Sequence, residues 1–299
     1  MKFLLSAISS FFLLIGDEDP YVVILGITQD GGYPQAGCIK SCCKDLWGVN
    51  SKKVSCIGIV DPPSKKSWMV DSTPDFPEQY HILKEHHQSK IEGIFLTHAH
   101  MGHYTGLLNF GKEVMGSNKI SVFTMPKMKL FLTNNAPWSQ LIKINNIELI
   151  PIFKDREIQL NSHLIIEPIL VPHRDEFSET VGFKIMGSKK SLVYIPDIDK
   201  WNVWERDIIK IILNNDFILI DGTFYANNEI PNRDMSMIPH PFITESMELF
   251  STLNTINRNK VYFIHLNHTN PAIKNNSAAF NRIRSKRFNI AQEGQKFNL

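Results

Sequence analysis

The chain has 299 residues, 43% of them hydrophobic and 21% charged, with a formal net charge of +2. That is an ordinary globular composition with enough apolar side chains for a sizeable core, and the length suits one large α/β domain or two small ones. The charge is too small for nucleic-acid binding by electrostatics alone, and none is expected; the pairs Lys65-Lys66 and Lys189-Lys190 read as solvated turn residues.

Taken in chain order, the first feature is Lys2 followed by an almost purely apolar run over residues 3–15, then the polar stretch 16–20. A positive start and an apolar run of this length are the pattern of a secretory signal peptide or N-terminal anchor, and the run is too short for a comfortable transmembrane helix. Residues 1–19 are therefore set apart from a single domain over residues 20–299, and export to the periplasm or beyond is expected. An uncleaved N-terminal segment on a cytoplasmic protein is the alternative.

Short β-rich runs then alternate with polar turns. Strands are predicted at 21–27, 55–60, 67–70, 91–96, 120–124, 147–153, 163–171, 181–185, 191–195, 217–220 and 261–264. Helices are predicted at 77–87, 105–115, 201–213, 244–253 and 276–284. Several strands run straight into a reactive residue: Asp71, His98, Asp197, Asp221 and His265. Functional side chains on loops at strand ends are how a layered α/β scaffold presents a site. No linker or internal repeat divides the chain.

The chain has four cysteines, and Cys38, Cys42 and Cys43 fall within six residues. Such clustering favours a structural metal, zinc by preference, over a disulfide framework, though three thiolates need a fourth ligand. A disulfide from Cys38 or Cys42 to Cys56 is the alternative in an oxidising compartment.

The strongest motif is Leu96-Thr97-His98-Ala99-His100-Met101-Gly102-His103. At the end of a strand, residues two apart point to one side, so His98 and His100 can share a cation as neutral imidazoles, and His103 can reach that ion or a neighbour. The stretch resembles the HxHxDH signature of the metallo-β-lactamase superfamily. The resemblance implies an αββα sandwich, two mixed sheets flanked by helices, with a metal site in the cleft between the two sheets. It also implies roles for residues at matching positions. His173 would be the third histidine of the first metal, and Asp197 a carboxylate shared by two metals. His265 would be the late histidine of the second metal, with His268 competing for that place. Asp71 would be a buried partner that orients a ligand.

One departure stands out. Gly102 occupies the position of the motif's Asp, so the second metal lacks an oxygen ligand. It is weak or absent, or another carboxylate substitutes; Asp199 and Asp221 are the candidates. Asp199 reads first as an N-cap for a helix starting at Trp201. Asp221 is balanced between a site-facing and a structural role. His240 reads first as an exposed loop histidine and second as a substrate contact.

Within the superfamily, residues 26–35 followed by clustered cysteines, with 71–75, 194–197, 221–224 and 264–271, are similar to the family of pyrroloquinoline quinone (PQQ) biosynthesis protein B. There the cysteine cluster is a zinc site. The expected activity is metal-assisted hydrolysis of a small ester, lactone, amide or phosphoester by one or two zinc ions, with iron or manganese as alternatives. In that mechanism Asp197 or Asp221 positions the attacking water, and a nearby Asp or His, such as His265, returns a proton. An iron-dependent oxidation like that family's, and a non-catalytic metal-binding scaffold, are the competing readings.

Overall fold

The computed structural model of the chain describes residues 19–48 and 50–299. The apolar N-terminal run at 3–15 lies outside the described residues, and no described helix is long and apolar enough to cross a membrane.

The strands are β1 (Tyr21–Gly26), β2 (Cys56–Asp61), β3 (Lys66–Val70), β4 (Lys90–Phe95), β5 (Ile120–Thr124), β6 (Ile147–Pro151), β7 (Ile158–Gln159), β8 (Ile165–Leu170), β9 (Val181–Met186), β10 (Ser191–Ile195), β11 (Phe217–Asp221), β12 (Val261–Ile264), β13 (Asn289–Ile290) and β14 (Lys296–Asn298). They form two seven-stranded sheets, ordered β14-β1-β2-β3-β4-β5-β6 and β13-β12-β11-β10-β9-β8-β7. Both are mixed. In the first, β1, β2 and β3 pair antiparallel and β3 to β6 parallel. In the second, β8, β9 and β10 pair antiparallel and β10 to β13 parallel.

Alternation along the strands explains the layering. In β1, Val22 and Ile24 join Ile57, Ile59, Val70 and Phe95 to meet Ile166, Phe183, Leu192 and Tyr194 from the other sheet. Val23 and Leu25, on the opposite face, pack under Phe76, Leu83, Leu107, Phe110 and Leu132. On the far side, Val193, Ile195, Ile218, Ile220 and Phe263 lie under Ile208, Ile212, Ile243, Phe250 and Ile283. The result is the αββα sandwich, helices outside and two sheets face to face, with both faces of the central strands buried.

The helices differ from expectation where polar contacts compete. Residues 201–213 do not form one helix: a short 3-10 turn at Trp201–Val203 is followed by extended backbone at Trp204, and a helix at Ile208–Leu213 begins at Asp207. Asp207 caps that helix by accepting from the Ile209 amide at 2.9 Å. Asp199 is therefore not an N-cap. Residues 105–115 shorten to a 3-10 helix at Thr105–Phe110, after one turn at Met101–Tyr104. Helices at Pro126–Asn134 and Trp138–Lys143 lie outside the predicted elements.

Phe183 is fully buried between the sheets, edge-on to Phe95 with ring centroids 5.6 Å apart. Phe183→Ala should cost about 3–5 kcal/mol, because the packed sheets cannot collapse onto the void. Urea denaturation, read as a lowered midpoint with unchanged slope, measures it.

Candidate metal centre

The seven side chains that matter most follow strand ends at one rim of the sandwich. Asp30 follows β1, Asp71 follows β3, His98 follows β4, His173 follows β8, Asp197 follows β10, Asp221 ends β11 and His265 follows β12. Asp71 and His265 both sit in the left-handed region, with φ of 73° and 63°. That conformation disfavours ordinary side chains, and it persists where the surroundings over-determine it. At Asp71 the surroundings are plain: its carboxylate accepts from the Thr97 amide at 2.8 Å, from the Thr97 hydroxyl and from His103 Nδ1 at 2.7 Å. Asp71 thus fixes the strand end that leads into the histidine motif, and it orients His103.

One group comprises His98, His100, His173 and Asp197. His98 Nε2 lies 3.4 Å from Asp197 Oδ2, and His173 Nε2 lies 3.3 Å from Asp197 Oδ1. Four ligands held about 2 Å from one ion in a tetrahedron sit about 3.3 Å apart, so these spacings match. Outer contacts set the rings. His98 Nδ1 meets the Thr97 hydroxyl at 3.0 Å, and His173 Nδ1 meets Asp199 Oδ1 at 3.0 Å. Asp199 therefore acts on His173 from outside the group, the familiar carboxylate partner of a metal-binding imidazole.

A second group comprises Asp30, His103 and His265. Asp30 Oδ1 lies 3.1 Å from His103 Nε2 and 3.7 Å from His265 Nε2. Asp197 belongs to its edge as well, with Oδ2 3.8 Å from His265 Nε2. His265 is oriented by its Nδ1 contact with the Thr223 hydroxyl at 3.0 Å. Asp30 is not among the candidates that the sequence suggests. Its signal lies in the chain segment that follows β1, far from the histidine motif.

Hydrogen bonding gives an independent test of whether these donors suit metal. Asp30 Oδ1, His103 Nε2, His173 Nε2, Asp197 Oδ1 and His265 Nε2 are all buried and make no hydrogen bond among the described residues. Buried polar atoms are nearly always satisfied, and a cluster of orphans on nitrogen and oxygen donors is what an ion-binding centre leaves. The electrostatics agree. Burial alone would raise the pKa of Asp197, but His173, His240 and His265 outweigh it and hold the carboxyl well below its ordinary range. Burial opposes a charge on His103, yet Asp71 and Asp30 together push its pKa well above the usual value.

His240 is buried, only 4% exposed, which overturns its reading as an exposed loop residue. Its Nδ1 lies 2.7 Å from Asp221 Oδ2 and 3.1 Å from Asp197 Oδ1. Burial lowers its pKa, but the two carboxylates win and push it up to about 9. Asp221 accepts from the Ile198 and Thr223 amides as well, so it serves His240 and the loops and takes no part in the second group. His100 is the least buried of its group, and its Nε2 lies 3.3 Å from the half-exposed Glu176.

The cysteines form a separate group. Cys38, Cys42, Cys43 and His268 bring their ligand atoms together, with Cys38 and Cys42 sulfurs 3.8 Å apart. A tetrahedral zinc with sulfur bonds of about 2.3 Å requires about that separation. His268 stands with the three cysteines as the fourth donor atom of their group, and not with His265. Cys56 is buried within β2, on the face under the outer helices, and all four cysteines are free.

Residues 68–266 match the model of the Beta-lactamase superfamily domain, which takes in the histidine motif, His173, Asp197 and His265. The chain belongs to the metallo-β-lactamase superfamily. Among curated proteins it is similar to Coenzyme PQQ synthesis protein B of Acinetobacter baumannii (strain ACICU), 24% identical over 320 residues, covering 93% of this chain and 100% of that one. The same-named protein of Methylorubrum extorquens (strain PA1) is 22% identical, with the same coverage of each chain. Among solved structures, Zn(2+)-bound PqqB from Methylobacterium extorquens superposes with a TM-score of 0.79 at 22% identity, over 93% of this chain and all of that one. A diphosphatase from the PhnP family superposes with a TM-score of 0.65 at 19% identity, over 93% of this chain and 96% of that one. At these identities the superpositions establish the fold.

His268→Ala should remove one metal equivalent per chain and lower thermal stability while leaving the metal held by His98, His100 and His173 in place. Elemental analysis of the purified variant measures it. Loss of histidine-centre metal instead would return His268 to that centre.

Proposed function

We propose that the protein is a metal-dependent hydrolase of a small ester, lactone, amide or phosphoester. The observation that carries this is the Asp197 carboxylate, buried and shared between the two donor groups, with one oxygen facing His173 and the other facing both His98 and His265. Imidazole and carboxylate donors suit zinc, manganese or iron. Ions bound there supply Lewis-acid polarisation of an ester or phosphoryl oxygen and acidify water.

The chain's own residues do the remaining work. Asp71 and Thr97 lock the motif loop, Asp199 aims His173, and Thr223 aims His265. Asp221 and Asp197 hold His240 by Nδ1 and stabilise its protonated form. Nε2 of that ring makes no hydrogen bond among the described residues and is the atom from which a proton can pass to a leaving group. Water positioning falls to Asp197, which reaches both groups, and not to Asp221, whose oxygens are already taken.

A second reading rests on the full-length match to proteins named Coenzyme PQQ synthesis protein B: an oxidation with iron at the histidine centre. The two readings separate on reconstituted protein. The hydrolase reading expects turnover of p-nitrophenyl esters or bis(p-nitrophenyl) phosphate with zinc or manganese. His98→Ala and His173→Ala should abolish it, and His240→Ala should lower kcat by roughly 10²- to 10⁴-fold with metal content unchanged. Oxygen uptake confined to iron-loaded protein, with no hydrolysis under any metal, would favour the oxidation and overturn the proposal.

A further inference from the structure

The superfamily motif places an Asp where this chain has Gly102, one residue before His103. The loop after β1 occupies that space. A Cβ built on Gly102 would meet Asp30 Oδ1 at 2.3 Å, Asp30 Cα at 2.6 Å and Asp30 Cγ at 2.8 Å. The clash with the Asp30 backbone matters most. A side chain can rotate aside, but a backbone atom moves only if its loop moves.

That loop is pinned on both sides. The Leu266 amide donates to Ile27 O at 2.8 Å, and the Gln29 amide donates to Leu266 O at 3.0 Å. Asn267 Nδ2 donates to Gln29 Oε1 at 2.8 Å, and the Gly32 amide closes a turn onto Gln29 O at 2.8 Å. Asp30 is thereby delivered between His103 and His265 with a buried oxygen that makes no hydrogen bond among the described residues. One space admits one carboxylate, whether it arrives from position 102 or from position 30.

We infer that Asp30 is the relocated oxygen ligand of the second metal, and that Gly102 is glycine because the Asp30 loop fills the space a side chain would need. The second site is complete: Asp30, His103, His265 and the shared Asp197. This rests on the reading of the rim as a metal centre, and it assigns one ligand within it. It also answers which carboxylate compensates for Gly102, since Asp199 and Asp221 are committed to His173 and His240.

The test uses manganese(II), which prefers oxygen and imidazole donors and leaves the thiolate site aside. The full chain is stripped of metal and titrated with Mn²⁺ alone, and bound ions are counted by equilibrium dialysis and by the spin-coupled signal of a manganese pair in electron paramagnetic resonance. Wild type should bind two ions with a coupled signal. Asp30→Ala and the near-isosteric Asp30→Asn should each keep one ion and lose the coupling, with affinity for the second ion down at least tenfold. Gly102→Asp alone should also lose the coupling, because it displaces the loop. The exchange variant, Asp30→Gly with Gly102→Asp, should regain two coupled ions. Two coupled ions of wild-type affinity in Asp30→Ala, in a protein where His103→Ala loses one, would overturn the assignment while leaving the metal centre standing. A wild-type chain that binds no manganese would instead remove the reading beneath it. Should the exchange variant not fold, Asp30→Asn decides the question by itself.

Discussion

The centre depends on one buried charge. Asp197 is 3% exposed, with imidazole nitrogens of four histidines within 4 Å of its oxygens. A carboxylate out of water is costly unless it is paired and ligated, and apolar packing cannot compensate for it. Its position therefore dictates what must surround it. His98 and His265 lie nearest Oδ2, His173 and His240 nearest Oδ1, and each ring is fixed in turn by Thr97, Thr223, Asp199 or Asp221. The two sheets exist at this rim to hold strand ends close enough for those outer contacts. A core that only filled volume would leave the strand ends free to splay.

Much of this could be read from the amino acids, and the reasons differ by residue. Strands were legible because most are β-rich apolar runs closed by polar turns, and the residue after the run was often the reactive one. His98, His100 and His103 announced themselves by spacing alone. Asp197 and His265 showed as reactive residues at strand ends and took their roles from resemblance, whereas His173 was legible only through resemblance, because nothing local ties a lone histidine after Val171-Pro172 to a motif far earlier in the chain. The split of residues 201–213 into two pieces was not legible. Apolar residues recur there at helical spacing, but Asp207 offers its own carboxylate to the backbone and starts the helix late.

His240 was read first as exposed and Asp30 was missed for a common reason: burial is a property of the fold. In the sequence, His240 stands between two prolines and looks like a loop tip; in three dimensions it lies against two carboxylates. Asp30, followed by two glycines, looks like a turn residue, and it is one, since the turn is what presents it. Gly102 gave half of the message by announcing a missing oxygen. Only the folded loop says where the oxygen comes from.

The donors of the two histidine groups have very different spans along the chain. His98, His100, His173 and Asp197 lie between residues 98 and 197, so the first group draws on about the middle third of the chain. The second joins Asp30 to His265, and the cysteine group joins Cys38 to His268, the same two segments that the Leu266 and Gln29 backbone bonds stitch together. Each of those sites is a clasp between the beginning and the end of the fold. A chain cut short before β12 keeps every donor of the first group and loses one donor, His265 or His268, from each of the other two.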